Sequence, residues 1–389
     1  MKVSQQARRE YVAKIQARYR GAGRVYKSRI LDEFCEVCGY DRKHAIKLLG
    51  GRRPPPRGRK GPAPLYGARE KQIIKVIWLK AQQPCSKRLV AVLPLWLPFY
   101  ERWYGRVAPR VRQKVLAISA STLDRLLVPA RAQAARRRRC GTRPGRLIRT
   151  QIPIRAGEWQ IDGPGYLEAD SVAHCGESLS GSFVWSVTFT DIHSGWTEVR
   201  AVWNRGGVDV LRQVREVERA LPFALRGFDC DNGGEFLNWH LLRYLQRRPR
   251  AVEFTRSRPY HKNDNAHVEQ KNWTHVREWL GQDRFENPQL VGLLNDLYRQ
   301  EWSDFHNFFR PAVKLIGKER LRSRVVKRYD RPQTPYQRLL AWPGLEAAPR
   351  AALAARYARL DPFGLVQNME RKLRAIFAVL KAGKKECAA

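Results

Sequence analysis

Phe228-Asp229-Cys230-Asp231-Asn232-Gly233-Gly234-Glu235-Phe236 is the stretch on which the reading of this chain turns. It opens like a buried strand, meets a carboxylate at Asp231 and breaks at once on Asn232-Gly233. A carboxylate at a strand end, with the backbone turning away beneath it, can hold a metal ion in an open cleft. The same letters also spell an ordinary turn. The rest of the chain has to decide between the two.

At 389 residues the chain is too long for one core and should split into about two to four domains. Its 74 Lys and Arg against 36 Asp and Glu leave a net charge of +38. That imbalance asks for a polyanion, and nucleic acid comes before a membrane surface. The longest apolar run, Leu89 to Tyr100, is interrupted by Pro94 and Pro98 and is too short to span a bilayer. Met1-Lys2-Val3-Ser4 leads into a polar helix rather than the apolar segment of a signal peptide. Seven cysteines, an odd number scattered from Cys35 to Cys387, fit a reduced cytosolic protein rather than a disulfide framework. Cys35 and Cys38 form a lone Cys-x-x-Cys with His44 nearby, and no second ligand pair follows at zinc-finger spacing. Their helical spacing beside Phe34 and Val37 favours buried thiols.

The front of the chain reads as helices. Ile30, Leu31, Phe34 and Val37 or Cys38 recur with helical period, Gly39-Tyr40 breaks the pattern, and Asp41 can cap a second helix over Arg42–Leu49. With Arg42, Lys43 and Lys47 off the apolar face, the pair reads as a helix-turn-helix; the alternative is a helical hairpin with solvated charges. A Pro-, Gly- and Arg-rich linker follows. Helical pattern then resumes from Ile73 to Leu127, with a second helix-turn-helix candidate in Val111–Leu116, a turn at Ala117-Ile118, a Ser119 cap and Ala120–Leu127. Arg136, Arg137, Arg138 and Arg139 open another basic linker without an acidic residue as far as Arg149. A charge run is usually a solvated tail; between two folded regions it fits a phosphate-binding strap.

From about Ile152 the pattern changes to strands. Tyr166–Ala173, Phe183–Thr190 and Trp196–Val202 read as three antiparallel strands. A helix over Val208–Ala220, a strand over Arg226–Cys230, a helix over Phe236–Arg247, a strand over Ala251–Thr255 and a helix over Asn265–Leu280 follow. That order makes an α/β domain with a mixed five-stranded sheet. Helical pattern continues over Leu290–Trp302, an aromatic run covers Phe305–Phe309, and a basic stretch spans Lys314–Tyr329. The tail helix carries Met369, Leu373, Ile376 or Phe377, and Leu380 on one face, a stripe suited to core or subunit contact. The divisions are thus helix-turn-helix 1–51, linker 52–66, a second helical DNA-binding domain 67–131, Arg-rich linker 132–152, the α/β core 153–303, a basic DNA-contacting region 304–340 and a helical tail 341–389.

Three acids fit one arrangement. Asp170 lies mid-strand, Asp231 ends the strand expected beside it, and Glu269 lies in the first turn of the helix beginning near Asn265. Their mutual repulsion is costly unless hard divalent cations bridge them. The basic loop before Glu269, with Arg256, Arg258 and Lys262, and Lys271 after it, would sit against a DNA backbone.

DNGGEF (231–236), TRSRPYHKNDNAHVEQKNW (255–273), TDIHSGWTE (190–198) and PGYLEADSVAHCG (164–176) resemble the integrase-type core of DDE transposases, the insertion-sequence enzymes related to retroviral integrases. Four motifs in the right order make the resemblance specific, and it covers residues 150 to 330. It implies an RNase H-like fold and phosphoryl transfer with two Mg²⁺ (or Mn²⁺) ions, with Asp170, Asp231 and Glu269 as the catalytic, metal-holding triad. It further implies 3′-end cleavage and strand transfer on double-stranded DNA, the element's terminal inverted repeats and its target, by a homo-oligomer in a bacterial, nucleoid-associated, cytoplasmic setting. The alternative is an inactive sequence-specific regulator derived from such an enzyme.

Two departures stand out. Trp159-Gln160-Ile161-Asp162 also resembles the core's opening, so Asp162 competes with Asp170. Asp170 is preferred, because Gly163-Pro164-Gly165 would end a strand at Asp162 whereas Asp170 sits inside a clean hairpin. The interval between Asp231 and Glu269 is also slightly longer than usual, which a loop insertion near Arg247–Arg250 would absorb. Of the remaining acids, Glu168 shares the Asp170 face, Asp191 caps the hairpin turn, Asp229 lies deeper in its strand, and Glu235 reads as an exposed turn residue. His267 and His275 lie too far apart along one helix to share a metal, and read as DNA-facing or structural.

Overall fold

Polar helices with one apolar stripe open the chain. The computed structural model describes residues 5–51, 65–134, 161–231, 233–257, 266–321 and 324–386. These fall into two compact units, Met1–Leu65 and Tyr66–Ala389.

The first unit holds α1 (Gln5–Gly21), α2 (Arg24–Cys38) and α3 (Arg42–Leu49). Ile15, Tyr19, Ile30, Leu31, Phe34, Cys38, Ala45 and Leu49 share its interior. Gly39 closes α2 at φ 68°, a left-handed position that suits glycine, and Asp41 caps α3 by accepting from the Lys43 and His44 amides. Cys38 is the buried member of the expected Val37/Cys38 alternative and Val37 is 45 % exposed; neither Cys35 nor Cys38 is in a disulfide.

The second unit begins with α4 (Ala68–Lys80), α5 (Ser86–Tyr104), α6 (Pro109–Leu116) and α7 (Ala120–Ala134). The prolines expected to interrupt the apolar run do not end α5. Pro94 and Pro98 lie on its exposed face while Val92, Leu93, Trp96, Leu97 and Tyr100 face inward. The carbonyls that lose a partner to proline therefore lie where the helix borders water. Ser119 caps α7, its Oγ accepting from the Thr122 amide at 3.3 Å.

The sheet follows: β1 (Tyr166–Ala173), β2 (Val184–Asp191), β3 (Thr197–Trp203), α8 (Gly207–Ala220), β4 (Gly227–Cys230), α9 (Trp239–Gln246) and β5 (Glu253–Arg256). Its order is β3-β2-β1-β4-β5, with β1–β3 antiparallel and β4 and β5 parallel to β1. This is a mixed five-stranded sheet. Leu167, Ala169, Phe228 and Cys230 look onto α8 and α9. The opposite face is covered by α10 (Ala266–Lys271), a π-helical stretch Asn272–Arg277, α11 (Glu278–Leu280), α12 (Gln289–Leu297), a second π-helical stretch Tyr298–Trp302 and α13 (Ser303–Phe309).

Among the described residues β3 has no strand partner on its outer side, and two helical asparagines serve instead. Asn295 accepts from the Ala201 amide at 2.8 Å and donates to its carbonyl at 2.9 Å. Asn307 does the same for Thr197, at 2.9 and 3.0 Å. Each side-chain amide mimics a neighbouring strand, so a buried edge keeps its hydrogen bonds.

The basic stretch expected after the core forms a hairpin, β6 (Leu315–Leu321) and β7 (Arg324–Tyr329). Then come α14 (Pro335–Ala341), α15 (Ala347–Ala358) and α16 (Pro362–Glu386), the last two within the expected helical tail. The tail stripe is core: Met369, Ile376 and Leu380 are buried. Segments read as a helical domain over 67–131 and a catalytic core over 153–303 share one interior. Trp96 of α5 donates its indole N–H to the Phe309 carbonyl at 3.2 Å and meets Phe305 and Phe363 edge-on. Among the described residues no helix is long and apolar enough to cross a membrane.

Candidate active site

Side chains alternate across a strand. With Leu167 and Ala169 turned toward α8 and α9, Glu168 and Asp170 face the side covered by α10. The same alternation on β4 turns Asp229 that way and, one step past the strand end, Asp231. In the parallel register Glu168 pairs with Asp229 and Ala169 with Cys230. Asp170 follows the last residue of β1 that pairs with β4, and Asp231 follows the last residue of β4.

Asp170 is held from two sides. Its Oδ1 accepts from the Ser171 amide at 2.8 Å and its Oδ2 from the Asn272 side-chain amide at 2.6 Å. Asn272 opens the π-helical stretch, a geometry that re-aims the side chains of a helix and is frequent at functional sites. Glu168 Oε2 accepts from the Val268 amide at 3.3 Å, so the start of α10 is tied to β1 one residue before Glu269. The side chain of Glu269 lies outside what the structure describes; its backbone belongs to α10.

Asp231 accepts from the Gly233 amide at 2.9 Å. Burial, and the Glu235 carboxylate beside it, push its pKa up to about 6. Glu235 is therefore a correction to the sequence reading: it is 3 % exposed rather than a solvated turn residue. It accepts from Ser171 Oγ at 2.6 Å and meets Arg205 at 3.4 Å. Turn letters describe backbone conformation and carry no record of what folds over the turn. The signal available was Phe236, an apolar neighbour that had to go inside.

The other expected residues are dispersed. Asp162 is exposed before β1 and pairs with Arg226 at 2.7 Å, and the register does not bring it to Asp231. Asp191 caps the hairpin turn, accepting from Gly165 at 2.8 Å and from the Ser194 amide and hydroxyl at 2.6 Å. Asp229 is buried and accepts from Thr255 Oγ1 at 2.6 Å. His275 is buried and packs against His306, with ring centroids 3.9 Å apart and the planes tilted by 30°, which leaves the structural alternative for it. Arg256 is only 7 % exposed at the end of β5, too enclosed to present its guanidinium to a phosphate. Lys271 is partly enclosed near the Gly195 carbonyl, and burial with the neighbouring Arg310, Arg88 and Arg338 pulls its pKa down to about 7. In the first unit Lys43 and Lys47 are exposed on α3, whereas Arg42 pairs with Asp32 and donates to Ser28 Oγ at 2.6 Å. Arg136, Arg137, Arg138, Arg139, Arg258, Lys262 and the side chain of His267 lie outside the described residues.

Among the described residues no three His, Cys, Asp or Glu side chains form a metal-binding group. Asp170 and Asp231 are two of the three acids expected there, and the side chain of the third, Glu269, lies outside the described residues. Their donors are carboxylate oxygens, the ligands hard divalent ions take, and burial first, then the Glu235 carboxylate, raises the pKa of Asp231, a cost a bound cation would offset. The donor set fits Mg²⁺ or Mn²⁺ and offers nothing to softer metals.

No family model matches the chain. Over 342 residues it is 40 % identical to "Uncharacterized protein y4rM" of Sinorhizobium fredii (strain NBRC 101917 / NGR234), a match covering 87 % of this chain and 96 % of that protein. The chain belongs to the y4rM family. The family name assigns no chemistry, so a function must be argued from the carboxylates and their surroundings.

Proposed function

We propose that the chain is a DDE transposase, which cuts the 3′ ends of an insertion element and joins them to target DNA. The observation that supports this reading is the parallel register of β1 and β4, in which Ala169 pairs with Cys230, so that Asp170 and Asp231 each follow one member of that pair. Strand order and direction support an RNase H-like core for the same residues. Glu269 is the third acid, and its place one residue after Val268 supports that role.

Asp170, Asp231 and Glu269 would hold two Mg²⁺ or Mn²⁺ ions. When bound, such ions lower the pKa of water and neutralise charge on phosphoryl oxygens. The chain's own part is placement. Asn272 and the Ser171 amide fix the two oxygens of Asp170, the Gly233 amide orients Asp231, and Glu168 docks α10 against β1. No covalent protein intermediate is needed, so no nucleophilic side chain is assigned.

The helices α2–α3, with Lys43 and Lys47 exposed, and α6–α7 are proposed to read the terminal repeats. The basic linkers and the β6–β7 arm would hold phosphates with little sequence preference. Joining two element ends calls for a homo-oligomer.

Purified protein, DNA carrying the inverted repeats that flank its gene, and Mg²⁺ or Mn²⁺ make the test. Nicking at the 3′ ends followed by joining is expected, with both steps lost in Asp170→Asn and Asp231→Asn. Joining that survives Asp231→Asn overturns the mechanism. Wild type that binds the repeats and never cuts points instead to a sequence-specific regulator derived from a transposase.

A further inference from the structure

We propose that Glu235 and Arg205 are a positioning pair that braces the candidate metal centre, clamping the turn after β4 to β1 so that Asp170 and Asp231 keep the spacing a divalent ion needs. The inference rests on the metal-dependent reading above.

Glu235 touches both halves of the centre. Its Oε1 accepts from Ser171 Oγ at 2.6 Å, and Ser171 follows Asp170 on β1. On its other side lies the Asp231 turn. A Cβ built on Gly233 would stand 2.6 Å from Glu235 Oε2 and 2.8 Å from Asp231 Oδ1, so the two carboxylates close on one small space. With its side chain 1 % exposed, Glu235 needs partners to stay charged, and Arg205 lies 3.4 Å from both of its oxygens. Each oxygen thereby has a protein partner, which suits Glu235 to a positioning role.

Arg205 is itself held in place. Asn204 and Arg205 both adopt left-handed backbone, at φ 55° and 49°, a costly conformation for residues with a Cβ. Asn204 secures that turn by accepting from the Phe183 amide at 3.0 Å and donating to Ser182 Oγ at 2.9 Å. The result sets the guanidinium 4.4 Å over the Trp185 ring and against Glu235. A strained turn, an aromatic platform and a buried carboxylate thus converge on one contact beside Asp231.

The brace and simple electrostatics predict opposite outcomes at Arg205. Removing a cation beside a metal site should tighten metal binding if charge alone matters, and weaken it if the guanidinium holds Glu235 in place. Titration of the full chain with Mn²⁺, followed by calorimetry, decides between them. Expected are affinity losses of about tenfold or more in Glu235→Ala and Arg205→Ala, and a smaller loss in Glu235→Gln, whose amide oxygen still accepts from Ser171. Thermal unfolding identifies variants that fail to fold; if Glu235→Ala is one, Glu235→Gln and Arg205→Ala decide. Wild-type affinity, or tighter binding, in folded Arg205→Ala overturns the brace. Asp231→Asn separates this from the underlying reading: Mn²⁺ binding that survives it overturns the metal centre itself, and with it the brace.

Discussion

Asn272 donates its side-chain amide to Asp170 Oδ2 at 2.6 Å, joining the first turn of the π-helical stretch to the strand that carries the first acid. This bond orients a candidate metal ligand through a residue that need not touch metal or DNA. Asn272→Ala should lower the nicking rate by about 10- to 100-fold, the usual cost of losing a partner behind a metal ligand. Asn272→Asp should be worse, because it sets a second carboxylate against Asp170. Single-turnover nicking with melting temperature as the control measures both, and an unimpaired Asn272→Ala enzyme would remove the residue from the mechanism.

Gly233 makes a sharper prediction. Its missing Cβ leaves the space into which Glu235 Oε2 and Asp231 Oδ1 both reach. Gly233→Ala must push at least one carboxylate aside, and a displacement of an ångström at a reacting centre costs on the order of 10²-fold. The catalytic loss should exceed what the change in melting temperature accounts for, since flexible carboxylates can swing away without unfolding the turn. Comparing nicking rates with thermal melts for the same variant tests this.

How far the sequence reached into this site follows from what kind of signal each residue carries. The β-prone run around Phe183–Thr190 and the break after Asp231 are local, and the strands lie where those patterns place them, within a residue or two. From strand alternation alone Asp170 and Asp231 could be assigned to one face. Glu235, Asn272 and Arg205 could not be found that way, because each acts through an element distant in sequence: Ser171, Asp170 and Glu235 respectively. Arg256 shows the converse, since its charge was legible and its burial in β5 was not. The prolines of α5 show that a local breaker yields when its helix keeps it on the solvent side.

The asparagines that pair with β3 test how much that substitute strand contributes. Asn295→Ala and Asn307→Ala each strip a buried amide and carbonyl of partners, at Ala201 and Thr197. Each should cost about 1–3 kcal/mol. The two backbone sites lie four residues apart on an extended strand, roughly 13 Å, so the double variant should lose the sum to within about 0.5 kcal/mol. Urea unfolding of the four proteins closes the cycle, and a double variant no worse than either single would mean that the two contacts act as one.

Buried histidines set the direction of the acid response. His174 is enclosed, bonded through Nε2 to Ser186 Oγ at 2.8 Å and stacked on Phe285, and burial pulls its pKa down to about 3. His275 and His306 pack against each other, and burial with the nearby Lys271 and Arg310 holds both well below the usual imidazole range. In the unfolded chain each takes up a proton near pH 6.5, while the folded protein resists until the pH is much lower. Their contribution is therefore full above about pH 6.5 and is lost as the pH falls toward the folded values, by up to about 1.4 kcal/mol per pH unit for each histidine. Asp191, Asp231 and Asp304, whose pKa values burial raises, work the other way over the carboxylate range. The melting temperature should therefore drop from about pH 6.5 downward, most steeply before those carboxylates begin to take up protons. His174→Gln should flatten that drop, even though it lowers stability at neutral pH. Melting curves at half-unit intervals test this, and an unchanged slope in the variant would show that His174 is not among the groups that titrate on unfolding.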